Sequence, residues 1–326
     1  MQIVKIIFSL VFLGTISTSC ESNSDVKTLT FAHILPASHP VHKGVLELQK
    51  EVKRLSNGKL LVNIYGNGQL GSEREVLELL QIGSIAMTKV SSAAMSNFVP
   101  EYKILGAPYI FKNKEHLFKV LESEIGTSIL NKGADYWLKG LCFYDAGSRS
   151  FYTKEKFIKT PKDLEGMKIR VMSDKMSVAM VDALGGSPTP MSFGELYTAL
   201  QQGVVDGAEN NAPSFVTSRH FELCKFYSLD SHSYVPDVLL IGTKALSLLT
   251  KQEQEWIFEA ARISAIKQKT FWTISEKESL RILKEAGVQI FHPDNAVFSA
   301  KTKSVIDGLK SNPDFEEIIT KIEKTK

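Results

Sequence analysis

The amino-acid sequence predicts an α/β protein built as two units joined by more than one crossing segment. Three observations carry that expectation. Strand and helix patterns alternate over the first 90 residues, a second cycle runs over 167–208, and a long helical stretch leads to a short strand near the end of the chain. At 326 residues the chain is long enough for two cores, each served by roughly 100–200 residues.

Taken in order, Lys27 to Ile34 reads as a strand. Ser38 to Leu55 reads as an amphipathic helix, because Val41, Val45, Leu48, Val52 and Leu55 recur at spacings of three and four and share one face. Asn57-Gly58 ends it as a left-handed cap would. Lys59 to Tyr65 alternates as a strand, Ser72 caps a helix running to Ile82, and Ile85 to Val90 is a third strand. Such a succession implies a mostly parallel sheet covered by helices. Helices are expected around Glu115–Leu121 and Glu124–Trp137, then strands at Leu141–Asp145 and Ser148–Thr153. In the second cycle 167–172 is a strand, Met176–Leu184 and Phe193–Gln202 are helices, and Val205–Ala208 is a strand. A strand near Leu239–Gly242, a helix from Gln252 to about Ala286, a strand at Val288–Phe291 and helices on either side of Pro313 complete the chain.

The first residues read as a processing segment. Lys5 precedes the apolar run Ile6 to Ile16, which is shorter than the about 20 residues a membrane-spanning helix needs. Small residues Ser17-Thr18-Ser19 then lead to Cys20. Residues 1–19 are therefore expected to be a secretory signal of the lipoprotein type, Cys20 the lipidated residue, and 20–26 a polar tether. Ser17 departs from the usual leucine three places before the cysteine. The expected location is periplasmic, with a lipid anchor in a membrane. Cys142 and Cys224 lie in strand-like runs and are expected to be buried, unpaired thiols. A formal charge of only +3 provides no broad field for nucleic acid, and no nucleic-acid partner is expected.

Several catalytic readings fail on spacing. Gly66-Asn67-Gly68-Gln69-Leu70-Gly71 fits G-x-G-x-x-G, yet it follows the second strand, and the strand beyond it offers Lys89 where a dinucleotide site needs an acid. Glycines serving a tight turn explain it better, so no cofactor is expected. His33, His39 and His42 are interrupted by Pro40, and no cysteine or further histidine follows at ligand spacing, so no metal is expected. Nucleophile-elbow, HExxH and Walker patterns do not occur.

The positive signal lies in the middle of the chain. In "LEGMKIRVMSDK" (164–175), Ile169 and Val171 alternate with Lys168, Arg170 and Met172, which turns Arg170 away from the apolar face, beside Met172. In "YDAGSRSFYTK", Arg149 follows Gly147, where the backbone can turn sharply. "ALQQGVVDGAENN" climbs a strand to Glu209, Asn210 and Asn211. Ligands of open α/β sheets sit beyond the carboxyl ends of strands, and Arg149, Arg170 and Asn210 fall near such ends. Two guanidiniums and an amide make a receptor for a carboxylate, because the planar Arg fork matches both oxygens.

From Leu29 to about Pro293 the chain resembles the DctP-type extracytoplasmic solute receptors of TRAP transporters. The resemblance rests on "YGNGQLGSEREVLELLQIGS" (65–84), "LGAPYIFKNKEH" (105–116), "DLEGMKIRVM" (163–172), "LGGSPTPMSFGELYTALQQGVVDGAEN" (184–210) and "GVQIFHP" (287–293). It implies a two-lobed, periplasmic-binding-protein-like α/β fold with mixed sheets, flanking helices, hinge strands and a long lobe-spanning helix. By the same resemblance one lobe holds 27–146 plus 236–275 and the other 147–235 plus 276–326. The implied function is non-catalytic: the lobes close on an organic acid and deliver it to membrane permease subunits driven by an ion gradient. Arg170 matches the family's carboxylate-clamping arginine, Arg149 its second cation, Asn210 the amide of the clamp, and Phe193 the aromatic beside the ligand. Met172 and Asn211 adjoin them.

The ligand's other end is expected to meet His33, Glu73 and Lys89. Glu73 accepts hydrogen bonds from hydroxyls and repels a second carboxylate, so the set suits a polyol acid. "FAHILPASHPVHKG" and "MTKVSSA" also resemble segments of hexuronate receptors, which makes glucuronate or galacturonate the expected ligand. A C4-dicarboxylate, with Lys89 as second clamp, is the alternative. A periplasmic enzyme acting on sugar acids with His33 as base, and a sensor lobe for a signalling protein, are the rivals from other classes.

Overall fold

The computed structural model describes residues 26–325. The signal segment, Cys20 and the tether up to residue 25 lie outside the described residues. Within them the strands are β1 (Lys27–Ala32), β2 (Leu60–Tyr65), β3 (Met87–Ser91), β4 (Leu138–Tyr144), β5 (Ser148–Thr153), β6 (Lys168–Val171), β7 (Ser187–Pro190), β8 (Gly207–Asn210), β9 (Phe226–Tyr234), β10 (Asp237–Gly242) and β11 (Gln289–Phe291). They form a five-stranded sheet of order β2-β1-β3-β10-β4 and a six-stranded sheet of order β11-β9-β5-β8-β6-β7.

The first sheet is mixed, not mostly parallel. β1 runs parallel to β2 and β3, but β10 returns from the second sheet and inserts antiparallel between β3 and β4. In β10, Val238 and Leu240 enter the core on one face while Leu239 and Ile241 enter the core on the other. That period-two division is why its apolar run is continuous: both faces are covered. Phe151 and Tyr152 of β5 divide the second sheet's two cores in the same way.

The helix following β1 spans Pro40–Leu55, and Val41, Val45, Leu48 and Val52 are fully buried, as their spacing predicts. Its cap is His39, whose ring accepts from the Val41 N–H, with Pro40 at the first position. The Gly66–Gly71 segment is a turn, with Gly68 and Gly71 at φ values of 68° and 107°. Cys142 and Cys224 are both free thiols. Among the described residues no helix is long and apolar enough to cross a membrane.

Among the described residues three segments connect a strand of one sheet to a strand of the other. β4 passes into β5 through 145–147, and β9 passes into β10 through Val235-Pro236. The two crossings lie side by side, since Tyr144 pairs with Asp237 in the first sheet and Ser148 with Tyr234 in the second. Gly147 takes φ 59°, a left-handed conformation that disfavours other residues. The third connection is the helix Lys251–Glu285, which buries Ile257, Ala260, Ala261 and Trp272 in the first sheet's core and Leu283 in the second's.

One boundary differs from expectation. The resemblance places 276–326 wholly in the second lobe, but the last helix, Pro313–Lys324, buries Ile319 and Ile322 in the first sheet's core beside Leu117 and Val120. Each such burial contributes about 1.5–3 kcal/mol, and His116 Nε2 adds a 3.0 Å hydrogen bond to the Ile322 carbonyl. The preceding helix Asn295–Lys310 makes the transition, with Phe298 in a second-sheet core and Leu309 in the first.

Candidate functional site

The expected residues gather along two facing sheet edges. On the second sheet, β6 and β8 run parallel with Arg170 opposite Ala208, so Arg170 and Asn210 lie toward their carboxyl ends. Arg149 lies instead at the amino end of β5. It reaches the same edge because β5 runs antiparallel to β8, pairing Ser150 with Asn210. On the first sheet, His33 follows β1, Lys89 and Ser91 end β3, and Glu73 opens the helix Glu73–Ile82. Asp237, which begins β10, pairs with Ser91 and joins them.

Arg170 is only 2% exposed. The Met191 carbonyl accepts from its Nε at 3.1 Å and its Nη2 at 2.9 Å, and the Phe193 ring centroid lies 5.9 Å from its Cζ. Its buried Nη1 has no hydrogen-bond partner among the described residues. Burial lowers its pKa, opposed by the charge of Glu209 and, more weakly, of Glu73 across the cleft. Phe193, half-buried, packs edge-on against His220 at 5.6 Å and touches the first sheet's core. Met172 lies just past β6 and is half-buried.

Arg149 is occupied differently. Its Nε donates to Glu209 Oε2 at 2.5 Å, its Nη2 to Glu209 Oε1 and the Glu209 carbonyl at 2.9 Å each, and its Nη1 to Asn210 Oδ1 at 2.9 Å. A guanidinium carries five N–H donors, so a single Nη1 N–H remains for anything else. Glu209 continues to His232 Nε2 at 3.3 Å, whose Nδ1 meets Asp230 at 2.8 Å. Burial alone would suppress the His232 charge, but the Asp230 and Glu209 carboxylates overcome it and raise its pKa to about 9. For Glu209, burial opposes ionisation, yet Arg149 and His232 hold its pKa at about 2. The network is a buried chain of alternating charges. Asn210 spends its oxygen on Arg149 and on the Asn211 N–H at 2.9 Å, which leaves its amide NH2 as the donor for a ligand. Asn211 caps the helix Ala212–Thr217 through the Ser214 N–H at 2.8 Å.

On the facing edge Lys89 is buried, with its Nζ 2.9 Å from Asp237 Oδ2 and 3.7 Å from Glu73 Oε1. β3 is covered on both faces, so Lys89 is not the solvent-facing residue its short strand suggests. Both oxygens of Glu73 are held by Ser91, through its N–H at 2.8 Å and its hydroxyl at 2.7 Å. Burial raises the Asp237 pKa to about 6 despite the nearby Lys89 charge. His33 is unsuited to be a base: burial, followed by Lys89 and His42, lowers its pKa to about 3. Its Nδ1 accepts from the Leu35 N–H at 3.1 Å and its Nε2 lies 2.9 Å from His42 Nδ1. His39 turns elsewhere, meeting Ser214 Oγ of the second unit at 3.2 Å. Among the described residues no group of three potential metal ligands assembles.

Sequence reasoning therefore brought together Arg149, Arg170, Phe193, Asn210, Glu73 and Lys89, but not Glu209, His232, Asp230 or Asp237. Glu209 adjoins Asn210 and could have been taken as the counter-ion that any buried Arg149 requires.

A mixed α/β fold with crossing strands, a spanning helix and a buried, half-paired arginine between two sheets defines a two-lobed solute receptor. The family model described as bacterial extracellular solute-binding protein, family 7 (DctP), matches residues 31–312, and the chain belongs to that family. It is a TRAP solute-binding protein, a receptor and not an enzyme. Three solved TRAP periplasmic solute binding proteins are similar along nearly their whole length. One from a Bradyrhizobium species, in complex with α/β-D-galacturonate, is 37% identical with a TM-score of 0.90 and covers 92% of this chain and 100% of its own. One from Xanthobacter autotrophicus, with bound β-D-galacturonate, is 35% identical with a TM-score of 0.89, covering 91% and 100%. One from Roseobacter denitrificans, with bound β-D-glucuronate, is 33% identical with a TM-score of 0.90, covering 92% and 100%.

Proposed function

We propose that this receptor binds a hexuronate, glucuronate or galacturonate, between the two sheets and hands it to the permease subunits of a TRAP transporter. The carrying observation is Arg170: a buried guanidinium whose Nη1 lacks a partner among the described residues. A ligand carboxylate seated on its Nη1/Nη2 edge satisfies that group by a charge-assisted, bidentate contact. Asn210 donates its amide to the same carboxylate, Phe193 covers the sugar ring, Glu73 and Lys89 face the hydroxyls, and His33, whose ring nitrogens are taken up by Leu35 and His42, stands beside them at the end of β1. Met172 and Asn211 border the site, Asn211 by fixing the helix beside it. Arg149 acts mainly by positioning Asn210.

The binding cycle follows from the connections between the sheets. A lobe of 27–146 plus 236–275 closes on one formed mainly by 147–235, with the strands at 145–147 and 235–236 as hinges and the long helix as spine. Closure expels water, strengthening the carboxylate contact, and this differential affinity makes the ligand a switch. Export through the signal segment 1–19 and lipidation at Cys20, with 20–26 as tether, would hold the receptor near its permease.

A thermal-shift screen of hexuronates against succinate and malate tests the ligand class. Stabilisation follows RT ln(1 + [L]/Kd), about 4 kcal/mol for a micromolar ligand at millimolar concentration, or several degrees in Tm. Shifts with dicarboxylates alone would reject the hexuronate reading in favour of a C4-dicarboxylate clamped by Lys89.

A further inference from the structure

We propose that Asp237 is a specificity-determining residue: by offsetting Lys89 it makes the first-sheet edge of the site reject a second carboxylate, so that the receptor takes a sugar monoacid and turns away the matching aldaric diacid. The inference rests on the hexuronate reading and deepens it. Lys89 alone would be an attractive second clamp, since its ammonium is buried at the cleft edge of β3. It is not alone. Asp237 Oδ2 lies 2.9 Å from its Nζ and Glu73 Oε1 3.7 Å, and Asp237 itself is only 5% exposed.

One ammonium therefore faces two carboxylates, and the edge is net negative when both are ionised. On the opposite edge Arg149 is matched by Glu209, and His232 stands between Glu209 and Asp230. Arg170, by contrast, has a buried Nη1 with no partner among the described residues. A ligand carboxylate has a place there and no counterpart at the other end. A hydroxyl differs, because it can donate to Glu73 or Asp237 and accept from Lys89. A second carboxylate would meet like charges in a buried setting, where repulsion is poorly screened. Asp237 owes its place to topology: β10 starts immediately after the Val235-Pro236 crossing, and its antiparallel register with Ser91 sets it beside Lys89.

Calorimetric titration of D-glucuronate and D-glucarate into the whole protein, Asp237→Asn and Lys89→Gln tests this. The two acids share a six-carbon skeleton, but glucarate has a carboxylate where glucuronate has its C1 aldehyde and cannot close to the pyranose, so the test reads how the variants change the preference and not the preference itself. The wild type should prefer the monoacid. Asp237→Asn should narrow that preference at least about tenfold and Lys89→Gln should widen it, the scale of one buried like-charge contact. Opposite movements cannot come from general loss of folding, which lowers both affinities together. A wild type that binds glucuronate, with a preference that both variants leave unmoved or shift the same way, overturns the inference alone. A wild type that binds neither D-glucuronate nor, titrated alongside it, D-galacturonate overturns the hexuronate reading and this inference with it.

Discussion

The Met191 carbonyl closes the Nε/Nη2 edge of Arg170, at 3.1 and 2.9 Å, and leaves the buried Nη1 end of the guanidinium without a partner among the described residues. A backbone oxygen thus holds the charge without neutralising it. Lysine at this position would have one ammonium to divide between that carbonyl and a ligand.

Arg170→Ala should weaken binding by 2–5 kcal/mol, about 30-fold to several-thousand-fold, while the ligand-free protein unfolds at nearly the same temperature. Arg170→Lys should behave much like the alanine variant, because a point charge does not reproduce a bidentate fork. Calorimetry and thermal unfolding read the two effects separately. Micromolar binding by the alanine variant would defeat the clamp assignment.

Glu209→Gln should act in the opposite sense, mainly on stability. It leaves Arg149 buried without its carboxylate, a change that costs about 3–5 kcal/mol in comparable pairs. The denaturant midpoint of the ligand-free variant should fall sharply. An unchanged midpoint would mean that the Arg149–Glu209 pair contributes little to the fold.

His232 sets an alkaline limit. Its folded pKa, about 9, lies above the ordinary 6.5, so its stabilising contribution is complete below pH 6.5 and is lost as pH rises through 9. Unfolding free energy should therefore decline between those values, and His232→Gln should flatten the decline while lowering stability near pH 6.5. Glu209 works from the acid side: with a folded pKa of about 2, its contribution is present above pH 4.5 and disappears as pH falls through 2. Denaturant titrations across pH check both directions.

Gly147→Ala should destabilise by more than about 1 kcal/mol, since the position combines φ 59° with a Cβ that would lie 2.8 Å from Trp272 Nε1. Gly166→Ala provides the comparison: φ is 75° there, but nothing lies within 4 Å of the added carbon. Equal losses in the two variants would show that backbone conformation alone accounts for the effect.

Elements whose burial follows their hydropathy were legible in the sequence. Val41, Val45, Leu48 and Val52 announce their helix because apolar residues at spacings of three and four share the face turned to the core. β9 was not anticipated for the converse reason. In Phe226–Tyr234 the buried positions include Ser228, Asp230, His232 and Ser233, so a strand of the core has the composition of a loop. Its polar residues can be buried because Asp230, two places away, and Glu209, from β8, both answer His232, and the second of these pairings is recorded by no local pattern. The site was legible to the same extent. Arg170 and Asn210 stand out by residue type and place, whereas the acceptor that orients Arg170 is a backbone carbonyl, which every residue has. Asp237 was hidden because its importance comes from the register of β10 against β3. The end of the chain packs on the first sheet's core and not where the resemblance places it, and helix periodicity could not have told the two apart, since it shows which face is apolar but not which core receives it.

Gln268 hydrogen-bonds the backbone of Asp145 in both directions, accepting from its N–H and donating to its carbonyl, each at 2.8 Å. The side-chain amide thus mimics a neighbouring strand and bolts one end of a crossing to the spanning helix. Any rearrangement that shifted Asp145 against the helix would have to break two buried hydrogen bonds at once, each contributing about 1 kcal/mol.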